Sequence, residues 1–267
     1  MRLDEKSVLI TGASSGIGMA LARRLAARSC NLALLGRRIG ILEDLAEELS
    51  ASSGKILPIE CDVSKKAAVA DANRRLSREF PPLDAAVLNA GMDKFVPLDR
   101  YSSADAEQIF GVNVFGTIHW VEALMPTLRS GRRFHLACMS SLSDTRGLPG
   151  NAFYSAAKRT IRHYLESLRV ELRPYPVKVV TVRPGFVKTP MTAVNTFEMP
   201  MAMTPEKAAC HVERALASGR RIYTFPAMAG VAMSLFRLVP APIYEAIAYR
   251  TYKKLVENDP DASKPPA

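Results

Sequence analysis

What most constrains the fold of this chain is a repeated alternation of short, unbroken apolar runs with stretches of helical period. SVLITGAS opens on an apolar run that breaks at Gly12, and residues 16–28 then set Ile17, Ala20, Leu21 and Leu25 at helical spacing. NLALLG (31–36) is a second run, followed by the helix-like IGILEDLAEEL; KILPIECDVS is a third, followed by a polar-faced helix over 67–80. DAAVLNAG is a fourth and RRFHLACMSS a fifth, separated by one long helix predicted over 103–129. A second long helix is predicted over 152–173, before a sixth strand in VKVVTVRPG. Strands that are apolar on both faces and alternate with helices belong to a parallel sheet covered on both sides. The expectation is an α/β chain, doubly wound, with its ligand beyond the carboxyl ends of the strands.

A length of 267 residues, 48% of them hydrophobic, suits one large domain with a substantial core. The expected layout is a main domain over 1–226, with 191–226 supplying a substrate lid and the last strand. An apolar helical extension over 227–256 and a tail over 257–267 follow. MRLDEKSVLI runs almost directly into a strand and is not read as a signal peptide, so a cytoplasmic location is expected. Cys30, Cys61, Cys138 and Cys210 are scattered, without a CxxC pair or a histidine cluster, and read as buried thiols; no metal site is expected. The net charge of +10 lies largely in dispersed doublets such as Arg74-Arg75 and Arg132-Arg133. That dispersal speaks against a nucleic-acid stripe and suits an anionic ligand or an anionic membrane surface.

TGASSGIG (11–18) falls between strand one and helix one. Gly12, Gly16 and Gly18 let backbone approach a pyrophosphate, the helix start offers free N–H groups, and Ser14 and Ser15 add hydroxyls. At the end of strand two a carboxylate would hold a ribose 2′-hydroxyl, whereas an arginine accommodates a 2′-phosphate. Here the chain reads Gly36-Arg37-Arg38, with no carboxylate before Glu43. Guanidinium matches phosphate bidentately, so the cofactor expected is NADP(H).

NAFYSAAK (151–158) puts Tyr154 and Lys158 one helical turn apart, with only small residues between them. A phenol titrates near ~10, and a cation within a few ångströms favours its ionised form, which is one way to make a general acid/base.

Taken together, TGASSGIG, CDVS (61–64), NAG (89–91), GVNVFG (111–116), MSS (139–141), YSAAK (154–158) and RPGFVKT (183–189) give the chain a clear family likeness. It resembles a short-chain dehydrogenase/reductase of NADP-preferring type over roughly residues 5–225, which implies a single Rossmann-type domain. The resemblance implies that Asp62 and Val63 frame an adenine, and that Asn89, Ala90 and Gly91 line the cofactor. It implies that Asn113 holds a water linked to Lys158 and that Ser141, in preference to Ser140, orients substrate. Lys158 would bind the nicotinamide ribose and lower the Tyr154 pKa, and Tyr154 would give its proton to a carbonyl oxygen. Ile17 belongs to the glycine-rich cofactor loop, and Pro184, Gly185, Val187 and Thr189 would hold the nicotinamide. A homodimer or homotetramer is the family expectation. The alternative function weighed beside catalysis is a non-catalytic NADP-binding sensor or a membrane-surface scaffold.

MTAVNTFEMPMAM (191–203) follows the nicotinamide loop, and its methionines either wall an apolar substrate or pack the lid on the core. With no charged cluster there, a lipophilic carbonyl or alcohol is the expected substrate. The apolar part of AMAGVAMSLFRLVPAPIYEAIAYRTYKK is too short to span a bilayer, which takes ~20 residues. A substrate lid or dimer contact is the leading expectation for it, and a helix pair lying on a membrane surface the next.

Overall fold

The computed structural model describes residues 1–52, 54–193 and 198–257. Part of the expected lid (194–197) and most of the expected tail (258–267) lie outside the described residues. Seven strands form one parallel sheet: β1 (Ser7–Thr11), β2 (Asn31–Gly36), β3 (Ile56–Glu60), β4 (Ala85–Leu88), β5 (Phe134–Met139), β6 (Val177–Pro184) and β7 (Ile222–Phe225). Their order is β3-β2-β1-β4-β5-β6-β7. The chain runs outward from β1 to β3, then returns to β4 on the other side, so the switch point lies between β1 and β4, where Leu9 is paired with Ala86. β1, β4 and β5 are buried at every position, as strands covered on both faces require.

Helices α1 (Gly16–Ala26), α2 (Ile39–Glu48) and α7 (Pro205–Ser218) bury their apolar stripes on one face of the sheet, with Leu21, Leu25, Val212 and Leu216 inaccessible. On the other face lie α3 (Lys66–Glu79), α5 (Gly116–Leu128) and α6 (Ala152–Glu171), with Trp120, Leu124, Ile161 and Leu165 at the contact. α7 starts at Thr204, whose hydroxyl accepts from Lys207 N at 3.4 Å, with proline in its first turn, and it stops at Gly219 in the left-handed region.

One element departs from its reading in the sequence. The helix expected over 103–129 is α4 (Ser103–Phe110) and α5, joined by a π-helical turn at Gly111–Phe115. At Gly116 a Cβ would stand 2.6 Å from Val63 Cγ2, so the helix crosses the β3 loop at glycine distance. Turns of this kind recur at functional sites because they free backbone groups from the regular ladder. This one carries Asn113.

Beyond β7, α8 (Ala227–Phe236) and α9 (Ala241–Glu257) form a helical pair. Gly230 is buried where a Cβ would meet Thr224 Cγ2 at 2.5 Å, which seats α8 against β7. Among the described residues no helix is long and apolar enough to cross a membrane.

Candidate active site

A cleft opens at the carboxyl ends of the strands, over the switch point, lined from the β1–α1 loop through the ends of β2, β3, β4 and β5 to α6 and the β6 loop. Gly12 and Gly16 take positive φ of +67° and +54°. A Cβ on Gly12 would sit 2.9 Å from Ala90 Cα, and one on Gly16 would sit 3.0 Å from Thr189 Cγ2. Asn89 locks the two strand ends together: its Nδ2 donates to Thr11 O at 3.0 Å and to Gly12 O at 3.3 Å. The N–H groups of Asn89 and Ala90 both donate to Thr11 Oγ1, each at 3.0 Å. Ser15, the N-cap of α1, makes no side-chain cap, so the first-turn N–H groups at the cleft have no side-chain acceptor from it.

Most residues singled out in the sequence line this one cleft. They are Gly12, Ser14, Ser15, Gly16, Ile17, Arg37, Arg38, Asp62, Val63, Asn89, Ala90, Gly91, Ser141, Tyr154, Lys158, Pro184, Gly185, Val187 and Thr189. Gly18 does not. It sits inside α1, where a Cβ would be 2.3 Å from Gly12 O, so it lets the helix pack closely against the glycine-rich loop. Asn113 is also set back from the wall. Its Nδ2 donates to Met92 O at 2.7 Å and Ile109 O at 2.9 Å, while its buried Oδ1 has no partner.

Gly91 is the meeting point of the site. A Cβ there would lie 2.9 Å from Asn113 Oδ1 and 3.4 Å from Lys158 Nζ. Lys158 Nζ donates to Met139 O at 3.1 Å and stands 5.5 Å from the centre of the Tyr154 ring. Burial pushes the Lys158 ammonium down from 10.5 to about 8, against the pull of Asp93. Tyr154 goes the opposite way from the reading that its cation lowers it. Burial raises the phenol well above its usual value, Asp93 and Asp144 add to that, and a hydrogen bond with Ser141 opposes them. Removing the phenolate from water and placing it near two carboxylates act in the same direction, and only the Ser141 hydrogen bond works against them.

The two serines of MSS have separate surroundings. Ser140 Oγ donates to Asp144 Oδ2 at 2.9 Å and lies 3.1 Å from Lys158 O, turned into the protein. Ser141 Oγ accepts from Ser143 N at 3.1 Å and is the hydroxyl that reaches Tyr154.

Three charged residues of the site went unread in the sequence. Asp93, two residues beyond NAG, accepts from Asn151 Nδ2 at 3.1 and 3.0 Å, tying the β4 loop to the start of α6; burial raises its pKa. Arg183 and Asp144 form a buried pair behind Ser141. Arg183 Nε reaches Asp144 Oδ2 at 2.8 Å and its Nη2 reaches Oδ1 at 2.5 Å, and Arg162 Nη1 also approaches at 3.3 Å. The available signal was a lone arginine inside the apolar run VKVVTVRPG, which a buried strand accepts only with a partner.

Arg38 donates from Nη2 to Ser14 Oγ at 2.9 Å and to Ser14 O at 3.2 Å, bridging the end of β2 to the glycine-rich loop, and Arg37 is exposed beside it. Met191 lines the cleft, Met203 packs on the core, and Met201 is exposed. Cys30, Cys61 and Cys138 are buried and Cys210 is partly so, all as free thiols, and no His/Cys/Asp/Glu cluster suited to a metal occurs among the described residues.

The short chain dehydrogenase family model matches residues 6–199. An uncharacterised oxidoreductase of Myxococcus xanthus is 36% identical over 248 residues, covering 93% of this chain and 98% of that protein. The alcohol dehydrogenase of Thermococcus sibiricus, solved with 5-hydroxy-NADP, superposes with a TM-score of 0.73 at 28% identity, over 82% of this chain and 94% of that one. A short-chain dehydrogenase/reductase of Burkholderia phymatum, in complex with NAD, shares the fold over 100% of this chain and 99% of its own (TM-score 0.78, 22% identity). With its switch-point cleft, its glycine-rich loop and a matching family model over most of its length, this chain belongs to the short-chain dehydrogenase/reductase family of oxidoreductases.

Proposed function

We propose that this protein is an NADP(H)-dependent oxidoreductase acting on a lipophilic ketone or aldehyde, or on the corresponding secondary alcohol, with Tyr154 as general acid/base. The observation that carries the reading is the convergence of Ser141, Tyr154 and Lys158 in the same cleft as the glycine-rich loop. The cleft fits a nicotinamide dinucleotide in two respects. Gly12 and Gly16 hold the β1–α1 loop in a positive-φ turn pressed against Ala90 and Thr189, and the start of α1 lacks a side-chain cap from Ser15. A nicotinamide cofactor, when bound, supplies or takes the hydride.

The chain's residues do the rest. Ser14, Ser15, Gly16 and Ile17 would hold the pyrophosphate, Asp62 and Val63 the adenine, and Pro184, Gly185, Val187 and Thr189 the nicotinamide end. Arg37 and Arg38 favour a 2′-phosphate, since β2 ends in Gly36 without a carboxylate. Tyr154 keeps its proton through neutral pH, because burial disfavours the phenolate. In the reducing direction it donates that proton to the carbonyl oxygen, which Ser141 orients. Lys158 would hold the ribose and restore the proton, and Asn113 Oδ1, unpaired beside Gly91, would hold the water linking Lys158 to solvent. Met191 at the rim supports an apolar substrate.

The test is NADPH consumption against pools of acyl-chain-like, steroid-like and small polar carbonyls, each beside NADH and beside Tyr154→Phe. Turnover of a lipophilic pool with NADPH, lost in Tyr154→Phe while NADPH binding is kept, is the expected result. A Tyr154→Phe protein as active as wild type would reject the mechanism. NADH preferred over NADPH would reject the role of Arg37 and Arg38.

A further inference from the structure

Half of the exposed large apolar side chains among the described residues lie in the helical pair after β7: Met228, Val231, Leu235, Leu238, Ile243, Ile247 and Tyr249. Met228, Val231, Leu235 and Leu238 follow one another at intervals of three and four, so they form a single outward stripe on and just past α8, with Met228 78% and Leu238 77% exposed. On α9 the stripe of Ile243 and Ile247 continues, at the same helical spacing, into Arg250 and Lys254.

The opposite faces are the ones that hold the pair to the body of the protein. The Tyr244 hydroxyl donates to Gly147 O, and Tyr252 Oη accepts from Leu98 N at 3.2 Å. Arg146 lies 4.2 Å over the Tyr244 ring and donates to Val239 O at 3.0 Å. Phe236 packs edge-on against Tyr244 at 5.5 Å. The pair is therefore fixed on the loop that leads from Ser141 towards Tyr154, with its apolar stripes turned outward.

We infer that α8 and α9 dock this protein onto an anionic lipid bilayer, lying in the plane of its surface with Met228, Val231, Leu235 and Ile247 in the acyl boundary. Charge selects this occupant. Arg237, Arg250, Lys253 and Lys254 are all exposed around the stripes, against Glu245 and Glu257, on a chain of net charge +10. Anionic headgroups complement that set, whereas a second copy meeting the same face about a two-fold axis would bring like charges together. Since no described helix can cross a bilayer, the contact is one of lying on the surface. It also sets the loop flanking Tyr154 close to the lipid.

The experiment is co-sedimentation of the full chain with vesicles of phosphatidylcholine alone and of phosphatidylcholine mixed with phosphatidylglycerol, at low and high salt. Two variants accompany it, V231S/L235S/I247S and R250Q/K253Q/K254Q, each checked for fold by circular dichroism. Light scattering gives the oligomeric state of all three proteins. Wild type is expected to pellet with the anionic vesicles at low salt and to be released as salt rises. The apolar variant should lose at least about tenfold in partition, and the charge variant roughly fivefold per residue removed. Wild type remaining in the supernatant with both vesicle types would overturn the proposal. So would binding that ignores the charge variant, or a wild-type oligomer that the apolar variant dissociates. None of these readouts needs turnover, so failure here stands apart from failure of the Tyr154 mechanism.

Discussion

Lys158 is held in its site at a cost to stability, and the cost can be measured. Lys158 is 4% exposed, and burial lowers its pKa from 10.5 to about 8. At 1.36 kcal/mol for each tenfold change, that difference is about 3 kcal/mol against the folded state at neutral pH. Lys158→Met keeps the length of the side chain and removes the charge. It also gives up the bond to Met139 O, worth about 1 kcal/mol. The net expectation is a gain of about 2 kcal/mol, or roughly 4–8 °C in melting temperature for a chain of this size, together with loss of turnover. The folded value lies below the unfolded one, so between about pH 8 and 10.5 the unfolded chain holds the proton more tightly. Wild-type stability from this group therefore rises with pH across that window, and the full cost is present below it. Urea unfolding of both proteins at pH 7 and at intervals up to pH 10 is the assay, and the advantage of Lys158→Met should shrink as the pH climbs. A variant no more stable than wild type at pH 7, or an advantage independent of pH, would refute the reasoning.

Asp144→Asn leaves Arg183 buried without its counter-charge and should cost about 3–5 kcal/mol; D144L/R183M should regain much of this, and a cycle of unfolding curves showing simple additivity would contradict the pairing. Gly18→Ala drives a Cβ to within 2.3 Å of Gly12 O. It should weaken NADPH binding by about 1–3 kcal/mol through displacement of the glycine-rich loop, read by fluorescence titration with the fold checked by circular dichroism; unchanged affinity would count against it. Asp93→Asn removes the carboxylate that raises both Lys158 and Tyr154, so both should titrate lower. The alkaline limb of kcat/KM for carbonyl reduction should then move to lower pH, and an unmoved limb would show that Asp93 only braces Asn151.

The strands were legible because each buried run is short, apolar and bounded by glycine or a polar loop. The cleft was legible because in a doubly wound sheet the loops after β1, β2, β4 and β5 all end at the same edge. The helix over 103–129 was read as unbroken because apolar spacing does not register a single π turn. Gly18 looked like its neighbours Gly12 and Gly16, yet those two take positive φ where the loop turns into α1, whereas Gly18 follows inside the first turn of the helix without it. Asp93 and Arg183 were missed because each acquires its role from a partner far along the chain, Asn151 and Asp144 respectively.

What the sequence by itself determined was local: the periodicities, the glycines that admit a close backbone approach, the arginines after β2, and the four-residue step from Tyr154 to Lys158. Tertiary structure alone decided the charge states and the outward faces. The ionisation of Lys158 and Tyr154 depends on how much water the sheet and α6 exclude around them, and burial is the largest cause of both shifts. The apolar residues after β7 could have closed a lid or packed on the core. It is the seating of Gly230 on Thr224 and of Tyr244 on Gly147 that turns their stripes to the outside, because which face of a helix is buried follows from the surface it meets.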